Sequence, residues 1–168
     1  TTFNCNDIGA NNITLTVIDN NGNVDSCTAI VTVVDTIPPM IVCPSNTDEY
    51  LDNNCQFVIP DYTTNAIFTD NCPSNTFTQI PAVGTTLNGV GTQNITITIQ
   101  DQSGSIDSCS FTITLIDNIA PALICPEDQF VEADYTCTYE IEDYRYLILD
   151  SLDNCDTTNV RVTQSPSP

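Results

Sequence analysis

The sequence predicts an all-β protein built from tandem immunoglobulin-like β-sandwich repeats of about 82 residues, stabilised by disulfides and arranged as a rod. Three observations carry this. A shift of 82 residues lays ITLTVIDNNGNVDSCTAIVTVVDTIPPMIVCP (13–44) over ITITIQDQSGSIDSCSFTITLIDNIAPALICP (95–126) without a gap. Apolar residues alternate with period two, as in a strand with one buried face. Cysteine spacings of 16, 12 and 17 from Cys27 to Cys72 return as 16, 12 and 18 from Cys109 to Cys155.

The shift also carries CQFVIPDY (55–62) onto CTYEIEDY (137–144), and one extra residue matches DNC at 70–72 with DNC at 153–155. The chain therefore divides into the second half of one repeat (1–38), a complete repeat (39–120) and the first half of another (121–168). In 109–115 the alternation sets Cys109, Phe111, Ile113 and Leu115 on one face and Ser110, Thr112 and Thr114 on the other. In 137–142 it predicts a strand with Cys137, Tyr139 and Ile141 opposite Thr138, Glu140 and Glu142. Helical signals are nearly missing; only YRYLILDSL (144–152) suggests a short helical turn. DTIPP (35–39) and DNIAP (117–121) read as short linkers stiffened by proline, stacking the repeats end to end.

Composition excludes several classes of function. With 22 Asp and Glu against two Lys and Arg, the net charge is −20, and there is no histidine. A phosphate backbone needs a cationic footprint that Arg145 and Arg161 cannot supply, so nucleic acid is no partner. An anionic membrane would repel the chain unless divalent cations bridge the two, and no run reaches the ~18 apolar residues of a spanning helix. Hydrophobic residues make up 40% of the chain, enough to bury a core and to argue against disorder. The sequence starts at Thr1 in mid-pattern with no signal peptide, and reads as a piece of something longer.

The cysteines belong to the repeat and not to one specialised site. No C-x-x-C pair occurs and histidine is missing, so structural disulfides are favoured over zinc, which places the chain outside the cytoplasm. Two pairing schemes compete. One closes each repeat on itself through Cys43 to Cys109 and Cys55 to Cys72, with Cys137 and Cys155 in the matching places of the third unit. The other joins Cys27 to Cys43 and Cys109 to Cys125 across the linkers. The first is preferred because each unit must fold before its neighbour exists.

Asp19, Asn21, Asn23 and Asp25 have the spacing that opens an EF-hand loop, but Val24 and Ile30 stand where glycine and a bidentate glutamate are needed. A hairpin turn is the simpler reading. Immunoglobulin-like topology would nevertheless bring Asp35, Asp70, Asp101 and Asp107 to one repeat junction, and Asp117 and Asp153 to the next. Crowded carboxylates call for a cation, and Ca²⁺ at these junctions is the candidate cofactor; diffuse acidity that keeps a rod soluble is the alternative. Asn12 and Asn94 begin N-I-T sequons, and DTI (35–37), DSL (150–152) and DTT (156–158) resemble an O-glycosylation acceptor pattern.

From PPMIVCP through DNC to GTQNITITIQDQSGSIDSCSFTITLID, the chain resembles hyalin repeat (HYR) domains, immunoglobulin-like modules of extracellular adhesive proteins. Its cysteine-containing tandem pattern is similar to surface adhesins of Bacteroidetes, including gliding-motility adhesins of the SprB type exported by type IX secretion. The first half-repeat resembles a variant with an added cysteine, Cys5, where the middle repeat has Leu87. In DQSGSID the asparagine usual after the glycine is missing, which weakens a ligand role there. The resemblance implies an extracellular, cell-surface, non-catalytic stalk. Its partners would be neighbouring repeats, other copies in a filament, and surface glycans or proteins. Calcium-dependent carbohydrate or protein binding is the alternative. An enzyme with paired carboxylates is disfavoured, because the acids recur with the repeat.

Overall fold

The computed structural model describes residues 2–73, 75–148, 150–156 and 160–167. These are all-β, with short 3-10 turns at Cys5–Asp7, Thr63–Asn65 and Tyr144–Leu147 and no α-helix among the described residues. The strands are β1 (Gly9–Ile18), β2 (Val24–Val33), β3 (Met40–Val42), β4 (Thr47–Tyr50), β5 (Gln56–Val58), β6 (Ile67–Thr69), β7 (Thr76–Ile80), β8 (Thr86–Asn88), β9 (Gly91–Gln100), β10 (Ile106–Ile116), β11 (Ala122–Ile124) and β12 (Asp150–Leu152). Two compact units interleave along the sequence. The first holds Thr1–Asn46, Ile59–Thr85 and Asn94–Thr112; the second holds Thr47–Val58, Thr86–Gln93 and Ile113–Pro168.

In the first unit β1 and β2 form an antiparallel hairpin running from Gly9↔Val33 to Ile18↔Val24. The turn closes because Asp19 accepts the amides of Asn21 and Asn23, both at 2.8 Å, while Gly22 takes a φ of +87° that other residues rarely adopt. β7 pairs antiparallel with β9, and β3 with β6. Ile95, Ile97 and Ile99 on β9 are fully buried, and Phe111 on β10 is buried with its ring edge-to-face against Tyr62 at 5.1 Å. Gln79 is buried but satisfied: its Oε1 accepts the Tyr62 amide at 2.8 Å and its Nε2 donates to the Pro60 carbonyl at 3.0 Å.

The second unit pairs β4 parallel with the end of β10, β5 with β8, and β11 with β12. Leu51, Ile113 and Leu115 are buried there. The period-two reading of 109–115 thus matches the burial of Phe111, Ile113 and Leu115 against exposed Ser110.

Two expectations need correction. Residues 137–142 form no strand, and Tyr139 and Ile141 are exposed. β5, their counterpart, is held by β8, whereas 137–142 find no ladder among the described residues. The alternation of β1 and β2 is present, yet Leu15 and Val17 are 62% and 66% exposed, although their counterparts Ile97 and Ile99 are fully buried. Alternation marks the face a strand offers; burial also requires something to lie against it. The suggested helical turn is a 3-10 turn at Tyr144–Leu147; Leu149 lies outside the described residues, as do Thr157 and Thr158 of the DTT motif.

Candidate metal centre and disulfide staples

Asp70, Asn71 and Cys72 follow β6 in a short loop, and each side chain does something different. Asn71 Nδ2 donates to Asp35 Oδ1 at 3.0 Å, and Cys72 is bonded to Cys5. Asp70 turns its carboxylate toward Asp35 and Asp101, so that one oxygen from each acid lies within 4.8 Å of the others. Asp35 Oδ2, both oxygens of Asp70 and Asp101 Oδ2 are buried and accept no hydrogen bond. Asp101 is only 6% exposed. Buried carboxylate oxygens without donors are costly unless a cation meets them.

The chemistry suits a hard divalent cation. Calcium takes oxygens at roughly 2.3–2.6 Å, so oxygens on opposite sides of one ion lie up to about 5 Å apart, which covers the observed spread. Three acids drawn from a linker, a loop and a hairpin turn form the flexible donor set that calcium accepts. Four orphan oxygens leave room for water to complete the shell.

The two hairpin turns answer differently although their sequences repeat. In the first, Asp19 is saturated: Oδ1 takes two amides and Oδ2 takes Asn23 Nδ2 at 2.7 Å. The Asn23 side chain is the main cause that holds this carboxyl below the ordinary range. In the second, Asp101 Oδ1 accepts the Ser105 amide at 2.7 Å and the Ser103 hydroxyl at 2.8 Å, while Oδ2 keeps no donor. Burial pushes the Asp101 carboxyl up, but hydrogen bonds from Ser103, Ser105 and Gly104 outweigh it and the net shift is downward, toward the charged form. The serine in place of asparagine after Gly104, read from sequence as weakening a ligand role, is what leaves this oxygen free.

Not every predicted acid joins the cluster. Asp107 is a correction: its Oδ2 accepts the Ile41 amide at 2.9 Å and its Oδ1 the Ser108 amide at 2.8 Å, which ties β10 to β3. Asp117 and Asp153 belong to the second unit. Asp117 accepts the Ile119 amide and Asp153 the amides of Cys155 and Asp156, and no group of three forms around them among the described residues.

Cys43 and Cys109 are bonded, with Cα atoms 5.6 Å apart, and fasten β10 to the segment after β3. The expected Cys55 to Cys72 bond does not form. Cys72 joins Cys5 with Cα atoms 5.5 Å apart, and Cys55 joins Cys155 at 4.9 Å; both lie within the 4.4–6.8 Å or so that the bond requires. Cys137, also expected in a disulfide, is free and exposed, as are Cys27 and Cys125, so neither bond of the linker-crossing scheme forms. One signal for the actual pairing was present in the sequence. Cys5 stands where the middle repeat has Leu87, on β8 opposite Phe57 and beside Cys55, whose carbonyl accepts the Gly89 amide at 3.0 Å. The two staples thus start from neighbouring places of the repeat, and both end on a D-N-C loop.

Residues 34–115 match the family model of the HYR domain, so this segment is similar to a HYR repeat. It contains Asp35, Asp70, Asp101 and the Cys43–Cys109 bond. HYR domains are extracellular, non-enzymatic repeat modules, and three disulfides agree with an oxidising location. Among curated proteins, none matches the chain. No helix of the described residues is long and apolar enough to cross a membrane.

Proposed function

We propose that this chain is a stretch of the stalk of an extracellular bacterial surface adhesin or filament, a structural and adhesive module without catalysis. Sandwich repeats divided at 1–38, 39–120 and 121–168 would succeed one another as a rod, with Ca²⁺ held by Asp35, Asp70 and Asp101 at a repeat junction. The observation that carries the reading is the pair of staples. With those boundaries, Cys5–Cys72 and Cys55–Cys155 each run from one repeat to the D-N-C loop of the next. A module that bears tension between a cell and a surface gains from covalent ties across its junctions, because non-covalent strand pairing yields under load. Repetition adds length and multiplies weak contacts with neighbouring repeats and other copies. Gliding motility and type IX secretion fit the same picture.

The second reading, a calcium-dependent carbohydrate- or protein-binding domain, is favoured by the orphan oxygens of the acidic cluster. The lack of tryptophan argues against a sugar-stacking platform. Two experiments separate the readings. Antibodies to this chain should label intact producing cells, and surface proteolysis should remove the label. A glycan array probed with and without calcium should stay blank for a stalk; calcium-dependent spots would move the assignment to the second reading.

A further inference from the structure

The loop after β6 serves the acid cluster and a staple at once. Asp70 supplies a carboxylate to the cluster, and Cys72, two residues on and so within about 7 Å along the backbone, holds the bond to Cys5. Cys72 is buried.

Asn71 stands between them and reaches both. Its Nδ2 donates to Asp35 Oδ1 at 3.0 Å and lies 3.4 Å from Cys72 Sγ, and its carbonyl oxygen lies 3.4 Å from Cys5 Sγ. Asp35 Oδ1 also accepts the Ile37 amide at 3.1 Å, so both donors fall on one oxygen and Oδ2 is left buried without any. The Asn71 side chain thus orients the Asp35 carboxylate, and the disulfide fixes the backbone from which that side chain extends. Asp101, 6% exposed and with its Oδ2 unpartnered, completes the cluster from the turn between β9 and β10.

Three carboxylates with one oxygen each inside 4.8 Å repel one another when no cation lies among them. Asp70 is the member carried by a short loop, so the repulsion is relieved when that loop moves outward, and Cys72 moves with it. A cation reverses the force: it draws Asp70 toward Asp35 and Asp101 and keeps Cys72 against Cys5. The bond acts in the other direction as well. It holds Asp70 and Asn71 in place, so a cation meets acids that are already gathered and little ordering cost remains.

We propose that calcium at Asp35, Asp70 and Asp101 and the Cys5–Cys72 bond stabilise each other, so that calcium sets how reducing the surroundings must be to open this staple. This rests on the calcium reading of the cluster and adds a regulation to it: the tie is locked where calcium is plentiful and reducible where it is scarce. Opening is thiol–disulfide exchange with a small thiol such as glutathione. One glutathione thiolate attacks a sulfur of the bond, which frees one cysteine thiolate and leaves the other cysteine in a mixed disulfide. A second glutathione thiolate attacks that mixed disulfide, frees the second cysteine and departs as oxidised glutathione; the two cysteines take up the protons that the glutathiones gave up. Both equilibria belong to one protein, so the factor by which calcium disfavours reduction equals the factor by which reduction weakens calcium binding.

Cys55–Cys155 is the internal comparison. It too ends on a D-N-C loop, but Asp153 there accepts the amides of Cys155 and Asp156, and no group of three acids forms around it among the described residues.

The test uses the full chain with its three free thiols alkylated beforehand, equilibrated in glutathione redox buffers with either saturating calcium or a calcium chelator. Thiols released by reduction are trapped with a second alkylating agent and located on peptides from an aspartate-directed protease, because two arginines give trypsin little to cut. Reducing strength is taken as the square of the reduced glutathione concentration over the oxidised. Calcium should raise the strength that half-opens Cys5–Cys72 by at least about fivefold and leave Cys55–Cys155 where it was. Asp70→Asn should abolish that response. Calorimetry closes the cycle: the chain with Cys5→Ala and Cys72→Ala should bind calcium at least about fivefold more weakly than the parent. The redox measurement is made on the unsubstituted chain, so it decides even where the double variant does not fold. Calcium binding by the parent with an unmoved Cys5–Cys72 midpoint overturns the coupling and leaves the metal site standing, whereas no calcium binding by the parent overturns both. Equal shifts at the two staples would mean that calcium steadies the chain as a whole, and would overturn the coupling too.

Discussion

Asp19 and Asp101 hold the same place in two copies of one turn, and they differ in the outer oxygen: that of Asp19 accepts from Asn23, and that of Asp101 is buried without a donor beside Asp35 and Asp70. Calcium binding should follow that difference. Titration calorimetry on the whole chain should give a site lost in Asp70→Asn and Asp101→Asn and unchanged in Asp19→Asn. Ser105→Asn, which copies the first turn, should offer Asp101 a donor and weaken binding. At calcium 100 times the dissociation constant the folded state gains about 2.7 kcal/mol. Equal calcium affinity in Asp70→Asn and the parent would remove the cation from the account.

Acid should act through the hydrogen-bonded carboxylates. Asp134 lies near a pKa of about 2, chiefly through the Thr136 hydroxyl, and Asp143 also near about 2, chiefly through the Arg145 side chain. Asp19, Asp52 and Asp101 are lowered as well. Because folding depresses these values, their contribution is complete above the unfolded carboxylate range near pH 4 and is lost as pH falls through the folded values near 2. Urea midpoints should be flat from pH 7 to about 4.5 and drop from 4 to 2, with salt blunting the drop at the exposed Asp143, whose partner is Arg145. An NMR titration placing Asp134 near 4 would contradict the first part.

The same repeat position in two settings isolates the worth of burial. Ile97→Ala removes a fully buried side chain and should cost about 2–5 kcal/mol. Leu15→Ala, at the matching and exposed place on β1, should stay within about 0.5 kcal/mol in the monomer. Urea unfolding of both variants checks this; equal losses would mean that the hairpin face is covered in solution.

Removing the Cys43–Cys109 bond with paired alanines should lower stability by about 4 kcal/mol on the loop-entropy estimate for its sequence separation of 66. Chemical unfolding under non-reducing conditions gives the number. A loss under about 1 kcal/mol would show that the unfolded chain is held by the other two bonds.

Much of this was legible because it is local or periodic. The shift of 82 residues, the alternation on β9 and β10 and the asparagine-glycine turn at 21–22 all reflect short-range constraints, and the burial of Ile97 and Phe111 follows from them. The staples were less legible, because a cysteine's partner depends on which loop another part of the chain brings within about 6 Å. The assumption that each repeat closes on itself, with Cys55 bonded to Cys72, failed for that reason. The added Cys5 at the place of Leu87 was the one hint. Nor could alternation alone tell that Leu15 and Val17 of β1 are exposed, or that 137–142 find no ladder among the described residues. A pattern shows what a strand can bury and leaves open what lies against it.

The central claim is that the staples make this segment nearly inextensible, and single-molecule stretching tests it most directly. With Cys5–Cys72 and Cys55–Cys155 intact, the covalent path from Cys5 to Cys155 crosses one bond, runs back along the 17 residues from Cys72 to Cys55, and crosses the other. At roughly 3.5 Å per residue that span cannot exceed about 70 Å, whereas the reduced chain reaches on the order of 500 Å between the same residues. The account predicts that the oxidised protein, pulled from its ends, stops short at that limit and that reductant releases the remaining length. An oxidised chain that unravels to the full contour without reductant would contradict it.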